Sequence, residues 1–398
     1  MAEDVSTRFS TTQKVFIGLQ HTFAMLGATV LVPVLTGLNV SATLFAVGAG
    51  TLIFHLFTNR RIPGFLGSSF AFIAPIIIAA DRLSLRHAQA GIIGAGIVYI
   101  VVGYLVQIAG ADRVRKVFPA VVTGPVIMVI GLGLAPVAIS NAQGNWLIAA
   151  LTLLAVSVIS MFARGFLKVI PILLGLIVGY VAAMLAGVVD YTPITQAAWV
   201  GLPGFTLPIF SWEVFLIVTP AAIVSIIEHI GDILAIGNTI GRDTTRDPGL
   251  PRTFYGGGIA TMLSGFLGGP SLTTYGENIG VLAITGIYST FVVSMGAVWA
   301  IVMSFIPKVE GMILSIPGPV IGGVSILLYG MIAAVGIRTL MENRVNLLDP
   351  RNLIIVSAIL IIGVGGVAIE VFEGFEISAM VISAVTGIVL NWILPRTA

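Results

Sequence analysis

Two short stretches decide the fold of this 398-residue chain: LGSSFAFIAPIIIA at residues 66–79 and TTYGENIGVLAI at residues 273–284. Both are apolar, but each is shorter than the roughly 20 residues that a helix needs to cross a membrane. Both also carry Gly, Ser or Thr, and Pro lies in or beside each of them. Irregular backbone at membrane depth is tolerated only where protein or a water-filled cavity surrounds it. The two stretches therefore predict a pair of broken segments inside a membrane protein.

The composition of the whole chain indicates that its solvent is lipid. Hydrophobic residues make up 57% of the sequence and Asp, Glu, Lys and Arg only 9%, against about 25% charged residues in an ordinary soluble domain. No charge-rich tract is present that would suit disorder or nucleic-acid binding. Cysteine is absent, and the four His have no paired ligand spacing, so we expect no disulfide, no metal site and no cofactor.

Apolar runs predict an all-α polytopic membrane protein. About 14 segments can be drawn at roughly 20 residues each, joined by short loops. With the N-terminus inside, only Arg82, Arg86 and Lys308 of the 19 Lys and Arg lie outside, and the other 16 lie inside. This asymmetry is typical of the positive-inside orientation. It favours an even number of spans with both termini in the cytoplasm.

The two broken segments fall at matching places, third among the segments of residues 14–188 and third among those of residues 213–395. Each half holds an odd number of segments, so the second half enters the membrane from the opposite side. This is the pattern of an inverted repeat, in which broken segments at corresponding positions indicate a binding site near the midplane. The alternative is that both stretches are re-entrant loops without a ligand.

The pattern within the broken segments predicts strands followed by half-helices. Gly67–Phe72 and Thr273–Glu277 show alternation with β-branched or aromatic residues, so we expect two short extended strands that pair with each other. Half-helices are expected to begin near Ala71 and Asn278 and to direct their positive N-terminal ends towards the site.

Three of the 17 acidic residues lie inside predicted membrane segments, where a carboxylate costs at least ~2.5–3.5 kcal/mol on insertion scales. Glu228 and Asp232 are four residues apart and share one helix face, and Glu277 lies in the unwound part of the second broken segment. Two carboxyl groups close together in a low dielectric disfavour double ionisation, which suits a transporter that binds and releases H⁺. A purely structural role is the alternative for each, with Asp232 capping nearby backbone.

Other residues near these acids also have two interpretations. His229 points about 100° away from the acid that precedes it on the helix, which favours packing or an interhelical hydrogen bond over substrate contact. Gln20 and His21 are expected to brace the broken segments through interhelical hydrogen bonds, with direct ligation as the alternative. Phe70 and Tyr275 either offer aromatic faces to a flat ligand or are ordinary core residues.

The stretch Glu277-Asn278-Ile279-Gly280, with Thr285 five residues beyond its glycine, resembles the signature of the nucleobase-ascorbate transporter family. The stretches GSSFAF at residues 67–72, QH at 20–21 and EHIG at 228–231 are also similar to that family. The resemblance therefore covers nearly the whole chain.

That resemblance implies two inverted seven-span repeats and H⁺ symport of a nucleobase by alternating access of a core domain against a gate domain. It also implies a homodimer in the lipid of the bacterial inner membrane, with no enzymatic activity and no nucleic-acid partner. The core domain would comprise residues 14–110 and 213–306, and the gate domain residues 117–188 and 315–395.

The resemblance also implies roles for individual residues. Glu228 and Glu277 match the two substrate-binding acids of the family, and Asp232, with Glu228, matches its proton-coupling positions. The remaining substrate contacts would be the backbone donors Phe70 and Gly276 and the pocket walls Ala28, Tyr275 and Tyr329. Residues expected to support the site are Gln20, His21, Ser69, Thr274 and Asn278.

Within the family, Glu277 favours uracil, because Gln at this position goes with recognition of xanthine and urate. Asp232 favours a purine, because Asp is usual at this position in purine-transporting members, whereas the uracil-transporting pattern has His. Uracil is therefore the expected substrate and a purine such as xanthine or hypoxanthine the alternative. An anion transporter of the same architecture would require a cation at the midplane, and an intramembrane enzyme would require a nucleophile or metal set. The sequence offers neither.

Overall fold

The computed structural model describes residues 9–110, 119–366, 369–372 and 375–395. Helices dominate both halves of the chain. The elements of the first half are α1 (Thr11–Thr29), α2 (Leu31–Thr36), α3 (Val40–Phe57), β1 (Leu66–Ser68), α4 (Ile73–Arg82), α5 (Leu85–Ala109), α6 (Ala120–Gly133), α7 (Ala135–Gln143), α8 (Trp146–Phe162), α9 (Pro171–Leu185) and α10 (Thr192–Gln196). Those of the second half are α11 (Trp212–Val218), α12 (Ala222–Ile240), α13 (Leu250–Leu267), β2 (Leu272–Thr274), α14 (Gly276–Thr285), α15 (Thr290–Ser304), α16 (Pro307–Leu314), α17 (Gly318–Glu342), α18 (Pro350–Gly365), β3 (Ile369–Phe372), β4 (Phe375–Ile377) and α19 (Ala379–Ile393).

The helices have the lengths and composition of a polytopic membrane protein. Among the described residues, six continuous helical stretches are long and apolar enough to cross a membrane, and the pair α15 and α16, bent by 84°, would make a seventh. Four further apolar helices, α8, α9, α18 and α19, are shorter. The helical, membrane-spanning fold is thus as predicted, while the count of 14 spans stays a prediction.

The helices pack in two groups. In the first, α13 lies against both α3 and α5, and α15 lies against α1 and α3. In the second, α17 packs on α6, α7 and α8, and α18 packs on α6 and α19. Helix α12 contacts members of both groups, because it lies against α5 and α14 and also against α6 and α19.

Glycines allow close helix approach in both groups. A Cβ atom at Gly96 of α5 would lie 2.5 Å from the carbonyl oxygen of Gly258 in α13, and one at Gly258 would lie 2.7 Å from that of Gly96. Gly124 of α6 and Gly336 of α17 meet in the same way: a Cβ atom at Gly124 would lie 2.9 Å from the Gly336 carbonyl oxygen, and one at Gly336 would lie 2.4 Å from that of Gly124. Lipid provides little hydrophobic drive for helices to associate, so close packing through small residues contributes much of the attraction.

The two broken segments meet as an antiparallel strand pair, which confirms the predicted pairing. The register is Leu66↔Thr274, Gly67↔Thr273 and Ser68↔Leu272. A backbone hydrogen bond extends the pair at each end: the Ser69 N–H donates to the Ser271 carbonyl at 2.9 Å, and the Tyr275 N–H donates to the Phe65 carbonyl at 3.0 Å.

β1 and β2 are shorter than predicted, because the backbone turns into helix after each of them. Phe70–Phe72 form a 3₁₀ turn that leads into α4, so the helical backbone begins one residue before the predicted start near Ala71. On the other segment, Gly268–Pro270 precede Ser271 and turn away from β1. Phe70–Phe72 therefore have no strand to pair with. The second half-helix begins at Gly276, two residues earlier than predicted. Glu277 therefore lies in the first turn of α14 rather than in unwound chain.

The predicted division of the basic residues between two sides stays a prediction, and the structure gives the local contacts of some of them. The three basic residues predicted to be outside all contact residues 194–213, which connect the two halves of the chain. Arg82 pairs with Glu213 at 3.0 Å, Arg86 Nε donates to the Leu207 carbonyl, and Lys308 Nζ donates to the Ile194 carbonyl. Two loops predicted to be inside meet through an ion pair between Arg61 and Asp247. Arg8, Arg113, Arg115, Lys116 and Arg396, also predicted to be inside, lie outside the described residues.

Three elements in the connections were not predicted. They are the short helices α10 and α16 and the antiparallel hairpin of β3 and β4 before the last helix. Loops were expected at these places because none of the three is a long apolar run.

Candidate binding site at the crossing strands

The three predicted intramembrane acids converge. Glu228 and Asp232 lie on one face of α12, and Glu228 is within electrostatic reach of both Asp232 and Glu277. The Thr274 hydroxyl, at the end of β2, donates to Asp232 Oδ2 at 2.8 Å and so joins the strand pair to α12. All three acids are partly exposed, whereas His229, which points about 100° away from Glu228 on the same helix, is buried. The acids therefore face an accessible space.

Three side-chain oxygen atoms of predicted site residues are unpaired. Glu228 Oε2, Gln20 Oε1 and Asn278 Oδ1 are buried and have no hydrogen-bond partner within the described part of the chain. The ion pairs found among the described residues do not include the three acids. Buried acceptors without donors cost free energy, so the arrangement is suited to a ligand that brings N–H groups.

Backbone donors come from the two helix starts. The N–H groups of Phe70 and Gly276 open the helical turns after β1 and β2, where an intrahelical partner is absent by geometry, and neither has a backbone acceptor in the residues described. A Cβ atom built on Gly276 would have no neighbour within 4 Å. Gly276 thus borders open space, and a ligand can approach its backbone closely.

Three of the predicted supporting residues, His21, Ser69 and Asn278, take part in side-chain contacts that brace the site. Asn278 Nδ2 lies 3.0 Å from the His21 carbonyl, to which it donates, and 3.2 Å from His21 Nδ1. This joins α14 to α1, as predicted for His21. Ser69 contacts Ser225 of α12, with 3.4 Å between their Oγ atoms. For Gln20 the predicted brace is not found among the described hydrogen bonds, and its side-chain oxygen is unpaired instead.

The aromatic wall residues differ in how freely they face the space. The Tyr275 hydroxyl donates to the Ser68 carbonyl at 3.0 Å, and its ring lies over Gly67. The Tyr275 side chain therefore lies across the strand pair and is buried, with only 4% of its surface exposed. Tyr329 of α17 meets the Phe70 ring edge-on, with 5.9 Å between ring centroids. Ala28 is fully buried near the end of α1.

The histidines of α12 and α3 serve the structure around the site. His229 Nε2 lies 2.9 Å from Thr253 Oγ1, and its ring packs among Tyr99 and Phe254, which agrees with the predicted packing role. His55, for which the sequence indicates no partner, lies 2.8 Å from both Ser294 Oγ and the Gly64 carbonyl. It therefore anchors the chain just before β1.

Several residues that hold the site together were missed by sequence reasoning. Ser68 Oγ donates to the Thr29 carbonyl at 2.8 Å and fastens β1 to the end of α1. Tyr99 O–H donates to Ser225 Oγ at 2.8 Å behind the acids. A single Tyr or Ser in an apolar segment gives no pattern from which such a partner can be found.

The fold and this site define an integral, multi-pass membrane protein with a polar site enclosed by its helices. The fold is shared with the transmembrane domain of a cyanobacterial bicarbonate transporter, BicA, at a TM-score of 0.65 and 16% identity over 96% of this chain and 98% of that one. Such a likeness shows the architecture alone.

The family is shown by sequence. The model described as Permease family matches residues 12–372, and the chain belongs to that family. It is 46% identical to a uracil permease of Bacillus caldolyticus, over 98% of this chain and 94% of the relative. It is 43% identical to a uracil permease of Escherichia coli strain K12, over 98% of this chain and 93% of the relative. The family resemblance found in the motifs is thereby confirmed, and the protein is classed with transporters rather than enzymes.

Proposed function

We propose that the protein is a uracil transporter that couples uptake of the base to H⁺. Uracil is planar and has two N–H donors and two carbonyl acceptors. The site offers the matching set: carboxylates at Glu228 and Glu277 to accept N–H, and unpaired backbone N–H groups at Phe70 and Gly276 to donate to C=O. The convergence of the three acids beside the crossing strands, from which the two helix starts follow, is the observation that carries the proposal.

The chemical match also gives a basis for selectivity. A site built around buried hydrogen-bonding groups rejects analogues that leave one of them unpaired, by factors of about 10⁴ in well-studied cases. Phe70, Tyr275, Tyr329 and Ala28 would form the walls around the flat ring. Curated relatives named as uracil permeases support uracil over xanthine or hypoxanthine.

The charge of the site supports the proposal of proton coupling. Three carboxylates share it, and among the described residues none of them has an ion-pair partner. Unpaired charge at this depth is costly, so uptake of a cation stabilises the occupied site. In our proposal Glu228 takes the proton, because its unpaired Oε2 becomes a donor on protonation and so changes the hydrogen bonds offered to the base. Asp232, held by Thr274, is the second proton-linked group.

The transport cycle would be alternating access of a core domain against a gate domain. The first helix group supports a core of residues 14–110 and 213–306, and the second supports a gate of residues 117–188 and 315–395; residues 117 and 118 lie outside the described chain. Each half contains one broken segment, and the halves would form inverted seven-span repeats.

We further propose a homodimer in the bacterial inner membrane with both termini in the cytoplasm. The uneven distribution of Lys and Arg supports the orientation, and the homodimer rests on the resemblance to the family. Lipid, H⁺ and the nucleobase are the expected partners, with no cofactor and no metal.

The test is uptake of labelled uracil by proteoliposomes containing the purified protein. An inward H⁺ gradient should drive accumulation, a protonophore should abolish it, and an inward Na⁺ gradient alone should not replace it. Competition by unlabelled xanthine and hypoxanthine in the same assay separates the purine alternative. Accumulation that ignores the H⁺ gradient would contradict coupling, and stronger competition by a purine than by uracil would contradict the substrate.

A further inference from the structure

A chain of buried hydroxyl groups lies behind the acids of α12. Tyr99 O–H donates to Ser225 Oγ at 2.8 Å, and Ser69 Oγ donates to the same atom at 3.4 Å. All three side chains are fully buried. Ser225 lies one turn before Glu228 on α12, and Ser69 directly precedes Phe70. The chain therefore connects the helix that carries the acid with the turn that carries the backbone donor.

The far end of this chain is rigidly held. The Tyr99 ring meets His229 edge-on at 5.7 Å and Phe254 at 5.8 Å between ring centroids. His229 is itself fixed by its contact with Thr253. Aromatic packing of this kind would be equally well provided by a phenyl ring. What the tyrosine adds is a hydroxyl that fixes the position of Ser225.

The near end of the hydroxyl chain lies where β1 passes into a buried helical turn. The Ser69 N–H is bonded to the Ser271 carbonyl, which is the last bond of the strand pair. After Ser69 the polypeptide leaves β1 and enters the 3₁₀ turn that begins at Phe70. The Ser69 side-chain contact with α12 is thus placed where the backbone donor separates from the strand pair.

We propose that Tyr99 is a positioning residue for the nucleobase site. Acting through Ser225 and Ser69, it sets the spacing between the carboxylate of Glu228 and the N–H of Phe70, which a bound base must satisfy together. Tyr99 does not touch the base in this proposal. The inference rests on the proposed function, because it assumes that a base occupies the site.

The experiment is equilibrium binding of labelled uracil to the purified full-length Tyr99→Phe protein. The ring packing is retained and one hydroxyl is lost, so the Kd should rise about three- to tenfold, the loss expected when one hydrogen bond is weakened. Tyr255→Phe is the matched control, because it also removes one tyrosine hydroxyl that donates to a side-chain oxygen: Tyr255 O–H donates to Gln107 Oε1 at 2.7 Å in an exposed bond between α13 and α5. Its Kd should equal that of the wild type.

Ser225→Ala provides a second route to the same result if Tyr99→Phe folds poorly. It should raise the Kd by a similar factor, and the double variant should show no further loss, because both changes break one chain. Thermal midpoints of the two single variants, compared with that of Tyr255→Phe, report any general loss of packing.

Uracil analogues separate positioning from a general structural effect. In 2-thiouracil and 4-thiouracil one carbonyl oxygen is replaced by sulfur, a weaker acceptor. If the variant misplaces the Phe70 N–H, its penalty should shrink for the analogue whose altered group faces that donor. Equal penalties for uracil and both analogues, or an unchanged Kd in Tyr99→Phe and Ser225→Ala, would overturn the inference. Failure of the wild type to bind uracil would overturn the proposed function as well.

Discussion

Replacing Gly67 with alanine tests whether the strand pair fixes the binding site. A Cβ atom at this position would lie 2.3, 2.4 and 2.5 Å from three ring carbons of Tyr275. Carbon atoms pack best at about 3.5–4.0 Å, so the ring has to retreat by more than 1 Å. It cannot do so freely, because its hydroxyl is bonded to the Ser68 carbonyl, on the residue next to Gly67.

The cost can be worked from these contacts. Overpacking of a tight core costs about 1–3 kcal/mol, and the strained hydrogen bond adds about 0.5–1.5 kcal/mol. Together these lower the free energy of unfolding by about 2–4 kcal/mol. Displacement of β1 also moves the Phe70 N–H, three residues further along, and we expect the uracil Kd to rise at least about tenfold, equivalent to 1.4 kcal/mol.

The assay is denaturation of the purified protein in detergent, together with equilibrium binding of labelled uracil. Gly365→Ala is the matched control, because Gly365 lies at the end of α18 and a Cβ atom there would meet nothing within 4 Å. It should leave both measurements unchanged. A Gly67→Ala protein with a wild-type midpoint and a wild-type Kd would refute the reasoning, since it would show that Tyr275 moves without cost to the site.

Three further substitutions test the site itself. Gly276→Ala should leave the denaturation midpoint unchanged, because its Cβ enters open space, and should reduce uracil binding by occupying that space; full binding would show that the base lies elsewhere. Glu228→Gln should abolish H⁺-driven accumulation of uracil in proteoliposomes, because an amide side chain does not take up and release a proton near neutral pH. Undiminished accumulation would exclude Glu228 as the coupling group. Glu277→Gln should raise the Kd for uracil about 10- to 100-fold, because a charged acceptor is replaced by a neutral amide, whereas an unchanged Kd would remove Glu277 from the pocket.

The positions of the helices could largely be predicted because the membrane imposes a simple rule. A run of apolar residues in lipid has to satisfy its own backbone, so helices follow the runs closely. The apolar run of residues 88–110, for example, predicts a helix, and the structure has the helix Leu85–Ala109 there. The strand pair was also predictable, since two interrupted segments at matching places leave unpaired backbone that each can satisfy for the other.

The local ends of these elements depended on contacts that the sequence does not display. Glycine is a poor helix former, so Gly276 was not expected to open a helix. In the structure the turn begins there because Tyr275, still extended, is held by the Phe65 carbonyl on the opposite chain. The acidic side chain of Glu277 then lies in the first turn, where it is favoured by the helix dipole.

Among the site residues, those with unusual chemistry could be found and those with ordinary chemistry could not. A carboxylate in an apolar segment is costly and therefore conspicuous, which identified Glu228, Asp232 and Glu277. Tyr99 and Ser225 are neutral and common, and their importance comes only from being brought together by helices far apart in sequence. The position of the Tyr275 ring likewise depends on Gly67 in the opposite strand, where a side chain would clash with it.

The placement of the site residues has a consequence for how transport would proceed. The acids and backbone donors proposed to bind the base lie on α12, on α14 and in the turn after β1, and these elements are tied together by the Thr274–Asp232 and Ser69–Ser225 contacts. Tyr329, on α17, belongs to the other helix group and meets the site through the edge of the Phe70 ring. An edge-to-face aromatic contact contributes about 0.5–1.5 kcal/mol, which is small enough to break and re-form in each cycle. In the proposed alternating access, the two groups would move against each other and break this contact together with those of α12 on α6 and α19, while the hydrogen bonds to the base stay intact.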